Sequence, residues 1–346
     1  MENQENIFEY DSNDFIIRLE ESAKKQDRHR SKFEEKICSK WEEAMANGAF
    51  WYTLDEVKTK EVPGKYKFVA QLNEKRFAQR RKPETATQVS MPYDPQRFNF
   101  NKVKSNEILM ELKNKNRVDD ANDQVIINVS PIMYGHVLLV PNVTACQPQV
   151  LDVSGIETAV KVCLLTVNRS FCLGFNSLCA LASVNHQHFH ASFIQEDLLI
   201  DQTKARCLRD DIYVIEDYAV NGFAFQLKDS NTEVFAQLIH SVTTWLTKNN
   251  IAHNIFMSRQ QDFSYGTEKK DGFYVTLFLF PKKPCPGMKD ARSLNSCCYD
   301  LAGYLLTKDA EQFDSLTEEK AVEILQRYTL NDQEFTNLCH QMLQEI

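Results

Sequence analysis

The stretch Asn185-His186-Gln187-His188-Phe189-His190-Ala191-Ser192-Phe193 places three of the chain's eight histidines within five residues, at strict alternation. Alternate side chains of a β-strand share one face, so this spacing predicts three imidazoles in a row, with Phe189, Ala191 and Phe193 turned to the core. Buried imidazoles are costly unless something polar meets them. Three uses are open to such a row: ligation of a metal, hydrogen bonding within a core, and nucleophilic catalysis. No second His/Asp/Glu cluster stands out that would complete a catalytic zinc site, so no metal is expected. Imidazole suits attack on phosphorus because it is neutral near pH 7 and its phosphoramidate passes the phosphoryl group on. The middle residue, His188, is then the candidate nucleophile. His186 and His190 are expected beside it, contacting oxygens or orienting its ring.

Outward from this stretch, the chain has ordinary globular composition: 346 residues, 43% hydrophobic and 25% charged. A net charge of −8 argues against a general binder of nucleic acid. No apolar run is long enough for a membrane span, and the acidic start MENQENIFEYDSND does not read as a signal peptide. The cytosol is the expected compartment. Ten cysteines without a CxxC pair suit reduced, buried thiols, with Cys297-Cys298 the only vicinal pair.

Helical spacing is expected over residues 12 to 47, where Phe33, Ile37, Trp41 and Met45 recur every four positions. After the Pro63-Gly64 turn, Tyr66, Phe68, Ala70 and Leu72 alternate as a half-buried strand. The basic run from Arg76 through Arg80 and Arg81 to Lys82 is either a solvated loop or a positive rim for phosphates. Val125 to Val129 and His136 to Val140 read as paired central strands. A helix is expected from Ile156 to Phe171, ending at Gly174, and another around Val234 to Leu246. The strands around His253 to Arg259 and Val275 to Pro281 echo the earlier pair, which suggests a degenerate internal duplication. Helices near 290–306, 318–328 and 331–346 close the chain. His136 and His253 are expected to be hydrogen-bonded structural residues. His29 is read as a surface residue, and His240 and His340 as packing or surface residues.

His186-x-His188-x-His190 together with Gly135-His136-Val137-Leu138-Leu139-Val140-Pro141 resembles the histidine triad superfamily. More narrowly, Phe68 to Glu74, Arg80 to Pro83, Phe98 to Val103, Asn128 to Pro131 and Phe175 to Leu178 are similar to the GDP-D-glucose phosphorylase family, which includes plant GDP-L-galactose phosphorylases. The resemblance spans roughly residues 60 to 300. It implies an α+β, histidine-triad-like fold of two fused halves, with antiparallel sheet and flanking helices. The expected divisions are a helical extension (1–60), a catalytic half (61–215) and a degenerate second half (216–346). The implied reaction is phosphorolysis of a GDP-hexose to GDP and a hexose 1-phosphate through a guanylylated His188. GDP-hexose and inorganic phosphate are the implied partners, and no cofactor is required. Candidate nucleotide or phosphate contacts are Asn176, Ser177, Ser183, Arg76, Arg80 and Arg81. Guanine selection calls for an acceptor facing N1 and N2 of the base, which the sequence does not identify.

Three positions depart from the family pattern. Cys179 stands where glycine is common, His190 where the plant enzymes carry glutamine, and Tyr304 where a histidine is expected. The alternatives are a nucleotide-diphosphate hydrolase and a nucleotide-binding protein without turnover.

Overall fold

The computed structural model describes residues 6–20, 23–27, 29–81, 84–118, 121–263, 272–284 and 296–346. The strands, in chain order, are β1 (Ile7–Tyr10), β2 (Arg18–Leu19), β3 (Lys58–Glu61), β4 (Val69–Leu72), β5 (Ile108–Asn114), β6 (Asp123–Ile127), β7 (Val137–Val140), β8 (Phe171–Asn176), β9 (Phe189–Phe193), β10 (Ala205–Arg209), β11 (Ile212–Ile215), β12 (Phe223–Gln226), β13 (Ala252–Gln261), β14 (Phe273–Lys282) and β15 (Tyr304–Thr307). The helices are α1 (Lys32–Ala46), α2 (Glu74–Ala78), α3 (Val153–Leu164), α4 (Thr232–Lys248), α5 (Cys298–Leu301), α6 (Ala310–Ser315), α7 (Glu318–Tyr328) and α8 (Asp332–Glu345).

One large, mostly antiparallel sheet runs β1-β5-β6-β7-β9-β8-β13-β14-β12-β11-β10, with β2 added to β14. Its central strands are buried on both faces, which is why Val137–Val140 and Phe171–Asn176 read as unbroken apolar runs. On one face Phe33, Ile37 and Trp41 of α1, Ile156 and Val160 of α3, Ile239 and Val242 of α4, and Leu338 and Met342 of α8 share a core with Leu173, Phe175, Phe189 and Ala191 of the sheet. The other face meets a small sheet, β15-β4-β3, together with α5 and α7, through Val69, Ala70, Leu305, Leu301 and Leu325.

The expected 125–140 strand pair is present as β6 and β7, with Ile126 opposite Leu138. The hairpin of the second half is β13–β14. Other expectations change. The segment 12 to 47 is α-helical only over Lys32–Ala46; before it, Arg18–Leu19 pairs with β14. The strand near Phe68 is buried throughout, because β4 lies between β15 and β3. The helix expected to reach Phe171 stops at Leu164, and Phe171–Asn176 is a strand. Of 290–306, residues 290–295 lie outside the described residues, and Tyr304–Thr307 is a strand. Lys82 and Pro83 of the basic run also lie outside them. No helix among the described residues is long and apolar enough to cross a membrane.

Candidate active site

Gly135 enters β7 with φ +68°, and a Cβ there would stand 2.6 Å from the Phe193 ring, so the position needs glycine on both counts. The turn delivers His136 to the sheet face that α5 covers, near Tyr299 and against β9. Ile132 N–H donates to His136 Nδ1 at 2.9 Å, which makes Nδ1 an acceptor and places the imidazole proton on Nε2. Complete burial holds His136 neutral, well below the ordinary histidine range. Its Nε2–H therefore donates to His190 Nδ1, 3.0 Å away. It follows that a neutral His190 carries its proton on Nε2 and offers a donor. His136 is thus the structural residue expected, and it also fixes a tautomer.

His188 has the opposite tautomer. Gln149 Nε2 donates to the carbonyls of Asn176 and His188, at 2.9 and 3.2 Å, so Gln149 Oε1 is the acceptor of that amide. His188 Nδ1 lies 2.9 Å from Gln149 Oε1 and 2.7 Å from the His186 carbonyl. Two acceptors require a proton on Nδ1. The ring's lone pair is consequently on Nε2.

His188 and His190 both line an open cleft, together with Arg76, Arg80, Arg81, Asn128, Ser130 and Ser183. Phe98, Phe100, Leu138 and Val184 supply its apolar wall. Phe100 stands edge-on to His188, with ring centroids 4.9 Å apart. Arg76 donates to the Ser130 carbonyl, Arg81 is ion-paired with the buried Glu107, and Arg80 forms no ion pair among the described residues. Burial, and Arg76 beside it, draw the Arg80 guanidinium below its usual range. Two neighbouring cations with so little compensation are suited to an anion.

The structure does not bring every expected residue to the cleft. Only Phe189–Phe193 is strand, so His186 and His188 precede it and the three rings do not form a row. The His186 ring is buried between Tyr93 and Phe100, and its Nδ1 accepts from Phe100 N–H at 3.1 Å. Burial lowers it to about 4. Its backbone carbonyl, rather than its ring, serves His188. Asn176 and Ser177 lie beneath the site. Asn176 Oδ1 accepts from Asn254 and from the Cys298 N–H, while Ser177 Oγ accepts from the His253 N–H. They anchor the turn 177–182 to the second half. In that turn Cys179 has φ +59°, a left-handed backbone in which glycine carries no penalty.

Sequence reasoning missed Gln149, Phe98 and Glu107 as parts of the site. Gln149 is tied to Asn185 through its own N–H, across 36 residues; no local spacing signals this. Tyr304 is buried, with its hydroxyl 2.8 Å from Gln71 Nε2, behind the site instead of in it. His29 and His340 are exposed, and His240 lies 3.1 Å from Thr244 Oγ1. No group of three or more His, Cys, Asp or Glu residues suited to a metal occurs among the described residues.

The antiparallel sheet thus presents an Nε2 lone pair on His188 and an Nε2–H on His190 beside a Gly-His strand and an arginine rim, on a histidine-triad-like fold. The fold agrees: yeast Ap4A phosphorylase Apa2 in complex with Ap4A superposes with a TM-score of 0.60 at 14% identity, over 87% of this chain and 98% of that one. Family models described as GDPGP1-like, N-terminal domain and GDPGP1-like, C-terminal domain match residues 32–192 and 198–346. GDP-D-glucose phosphorylase 1 of Danio rerio is 36% identical, over 97% of this chain and 98% of its own. The Homo sapiens protein of that name is 34% identical, over 86% and 79% respectively. GDP-L-galactose phosphorylase 2 of Arabidopsis thaliana is 30% identical, over 86% and 73%. The chain belongs to the GDPGP1-like family.

Proposed function

We propose that the protein is a GDP-D-glucose phosphorylase of the cytosol, converting GDP-glucose and phosphate to GDP and glucose 1-phosphate by way of a GMP–His188 adduct. The observation that carries this reading is the tautomer of His188. With its proton held on Nδ1 by two carbonyl oxygens, Nε2 is the nucleophilic nitrogen, and the positive charge that ring acquires on attack is met by those same oxygens. Nε2 bonds to the α-phosphorus and the bond to the glucose 1-phosphate oxygen breaks. A phosphate monoester is a good leaving group, so no proton need move first. An oxygen of inorganic phosphate then attacks the same phosphorus, the P–N bond breaks, and His188 returns neutral with its Nδ1 proton in place.

In this scheme Arg76 and Arg80 hold phosphoryl oxygens, and His190 donates to a non-bridging oxygen through Nε2–H. Ser183 and Asn128 line the cleft as further polar contacts. His186, Asn176 and Ser177 act as positioning residues. We assign residues 61–215 as the catalytic half and 216–346 as the degenerate half, after a 1–60 extension. The β13–β14 hairpin supports the assignment, since it repeats the strand pairing of β6–β7 without a histidine triplet.

Hydrolysis is the second reading, favoured by one feature: the His190 donor stands beside the nucleophile and can serve a leaving group poorer than a sugar phosphate. An assay on GDP-glucose with and without phosphate separates the two. Phosphorolysis gives GDP and glucose 1-phosphate only when phosphate is present. GMP formed at the same rate in both tubes would make the protein a hydrolase.

A further inference from the structure

The three arginines on the rim of the cleft are not equivalent. Arg76 and Arg80 stand together with little to neutralise them, whereas Arg81 is ion-paired through Nη2 with Glu107, whose side chain is 6% exposed. The Arg81 guanidinium also lies over the Phe98 ring, 4.5 Å from its centroid, with the Trp51 ring centroid 5.8 Å away. A neutralised, stacked guanidinium has little charge to offer a phosphate. It keeps a rigid planar edge instead, since Nη2 has a second N–H that lies side by side with that of Nη1 or of Nε, and neither of those nitrogens is committed among the described residues. Phe98, on which the fork lies, belongs to the apolar wall with Phe100, Leu138 and Val184, and that wall suits the faces of a purine.

A purine laid on Phe100, Leu138 and Val184 would present an edge toward the Arg81 guanidinium, which lies over Phe98. Guanine presents two acceptors on one edge, O6 and N7, which a guanidinium bonds as a pair. Adenine puts an amino donor in place of O6, and a guanidinium cannot accept from it. We propose that Arg81, fixed by Glu107 and by the Phe98 and Trp51 rings, is the residue that selects guanine over adenine, through O6 and N7 of the base. This rests on the cleft being a GDP-hexose site and adds to it the residue that reads the base. It also moves the selection from the N1 and N2 edge, where an acceptor was expected, to the opposite edge.

The test is calorimetric titration of the full-length protein, its Arg81→Lys variant and its Glu107→Gln variant with GDP, IDP and ADP. IDP keeps O6 and N7 but lacks the 2-amino group. Arg81→Lys retains the charge beside Glu107 and removes the fork, so it should weaken GDP and IDP together by about 10-fold or more, with ADP changed by less than about 2-fold. Glu107→Gln loosens the fork and should move the three nucleotides in the same order to a smaller extent, which keeps the test readable if the lysine variant does not fold. Equal losses for GDP and ADP, or an unchanged GDP-to-ADP ratio, would overturn the assignment. So would IDP behaving like ADP, since the 2-amino group would then be what is read. A parent protein that binds none of the three would overturn the functional reading along with it, whereas a parent that binds GDP with an unmoved ratio would overturn Arg81 alone.

Discussion

At the residue scale the account turns on which nitrogen of each histidine carries a proton. Gln149 settles this for His188, because its amide is oriented by two carbonyls and can only accept from the ring. Gln149→Leu is therefore expected to lower kcat by about 100-fold with KM nearly kept, and to alter the pH profile of kcat, and Gln149→Glu, which sets a carboxylate oxygen against the Asn176 and His188 carbonyls, should not restore the rate. A loss confined to KM would contradict a positioning role. His188→Asn should remove turnover by several orders of magnitude and leave GDP binding in place, as expected when the atom that forms the covalent bond is gone. The sequence displayed the triplet plainly, and the prominence of His188 with it. It did not display the role of His186, because alternation was read as strand while residues 185–188 are pulled out of the strand by hydrogen bonds to Gln147 and Gln149, far away in sequence.

At the element scale the 177–182 turn is the part under tension. Cys179 and Leu181 both have positive φ, at 59° and 79°, and an ordinary L-residue in that region costs roughly 1–2 kcal/mol. Cys179→Gly should hold or raise the melting temperature, and Cys179→Val, branched at Cβ, should lower it by several degrees. Equal melting temperatures for the two would show that the backbone there carries no strain. The family pattern had marked Cys179 as a departure from glycine, and the backbone gives the reason. Elsewhere, helix and strand were confused where apolar runs are short. Phe171-Cys172-Leu173-Gly174-Phe175 continues the apolar spacing of α3 yet forms β8, since burial on both faces erases the alternation that marks a strand. Tyr304–Thr307, buried throughout, lacks the alternation of a strand for the same reason.

At the scale of the whole molecule, the continuous sheet makes the second half a support for the first. Gly174 of β8 lies where a Cβ would come 2.4 Å from Cys298 Sγ, and Tyr299 of α5 reaches the Ser192 hydroxyl at 2.8 Å behind the His136–His190 pair. This closure was not legible, because it joins residues more than 100 positions apart. It also gives the molecule an acid limit. Burial lowers His186 and His253 to about 4, so between pH 6.5 and 4 the unfolded chain binds protons that the folded one does not. Each of these two rings therefore contributes stability that is full above pH 6.5 and is lost as pH drops toward 4, by roughly 3 kcal/mol at the lower end, against the opposite slope of the buried Asp300 and Glu34 carboxyls, which burial raises. Denaturant unfolding across that range should show the difference, with His253→Leu losing less stability than the parent between pH 6.5 and 4, by up to roughly 3 kcal/mol. Parallel pH curves for the parent and His253→Leu would contradict the burial of that ring.

The most direct measurement is to mix the protein with GDP-glucose in the absence of phosphate, quench in alkali to preserve a phosphoramidate, and map the digest by mass spectrometry. The account predicts one peptide spanning residues 185–193 that carries a GMP on His188 and loses it when phosphate is added before the quench, with GDP released. An unmodified His188 peptide in protein that is converting GDP-glucose, or a GMP found on another residue, would contradict it.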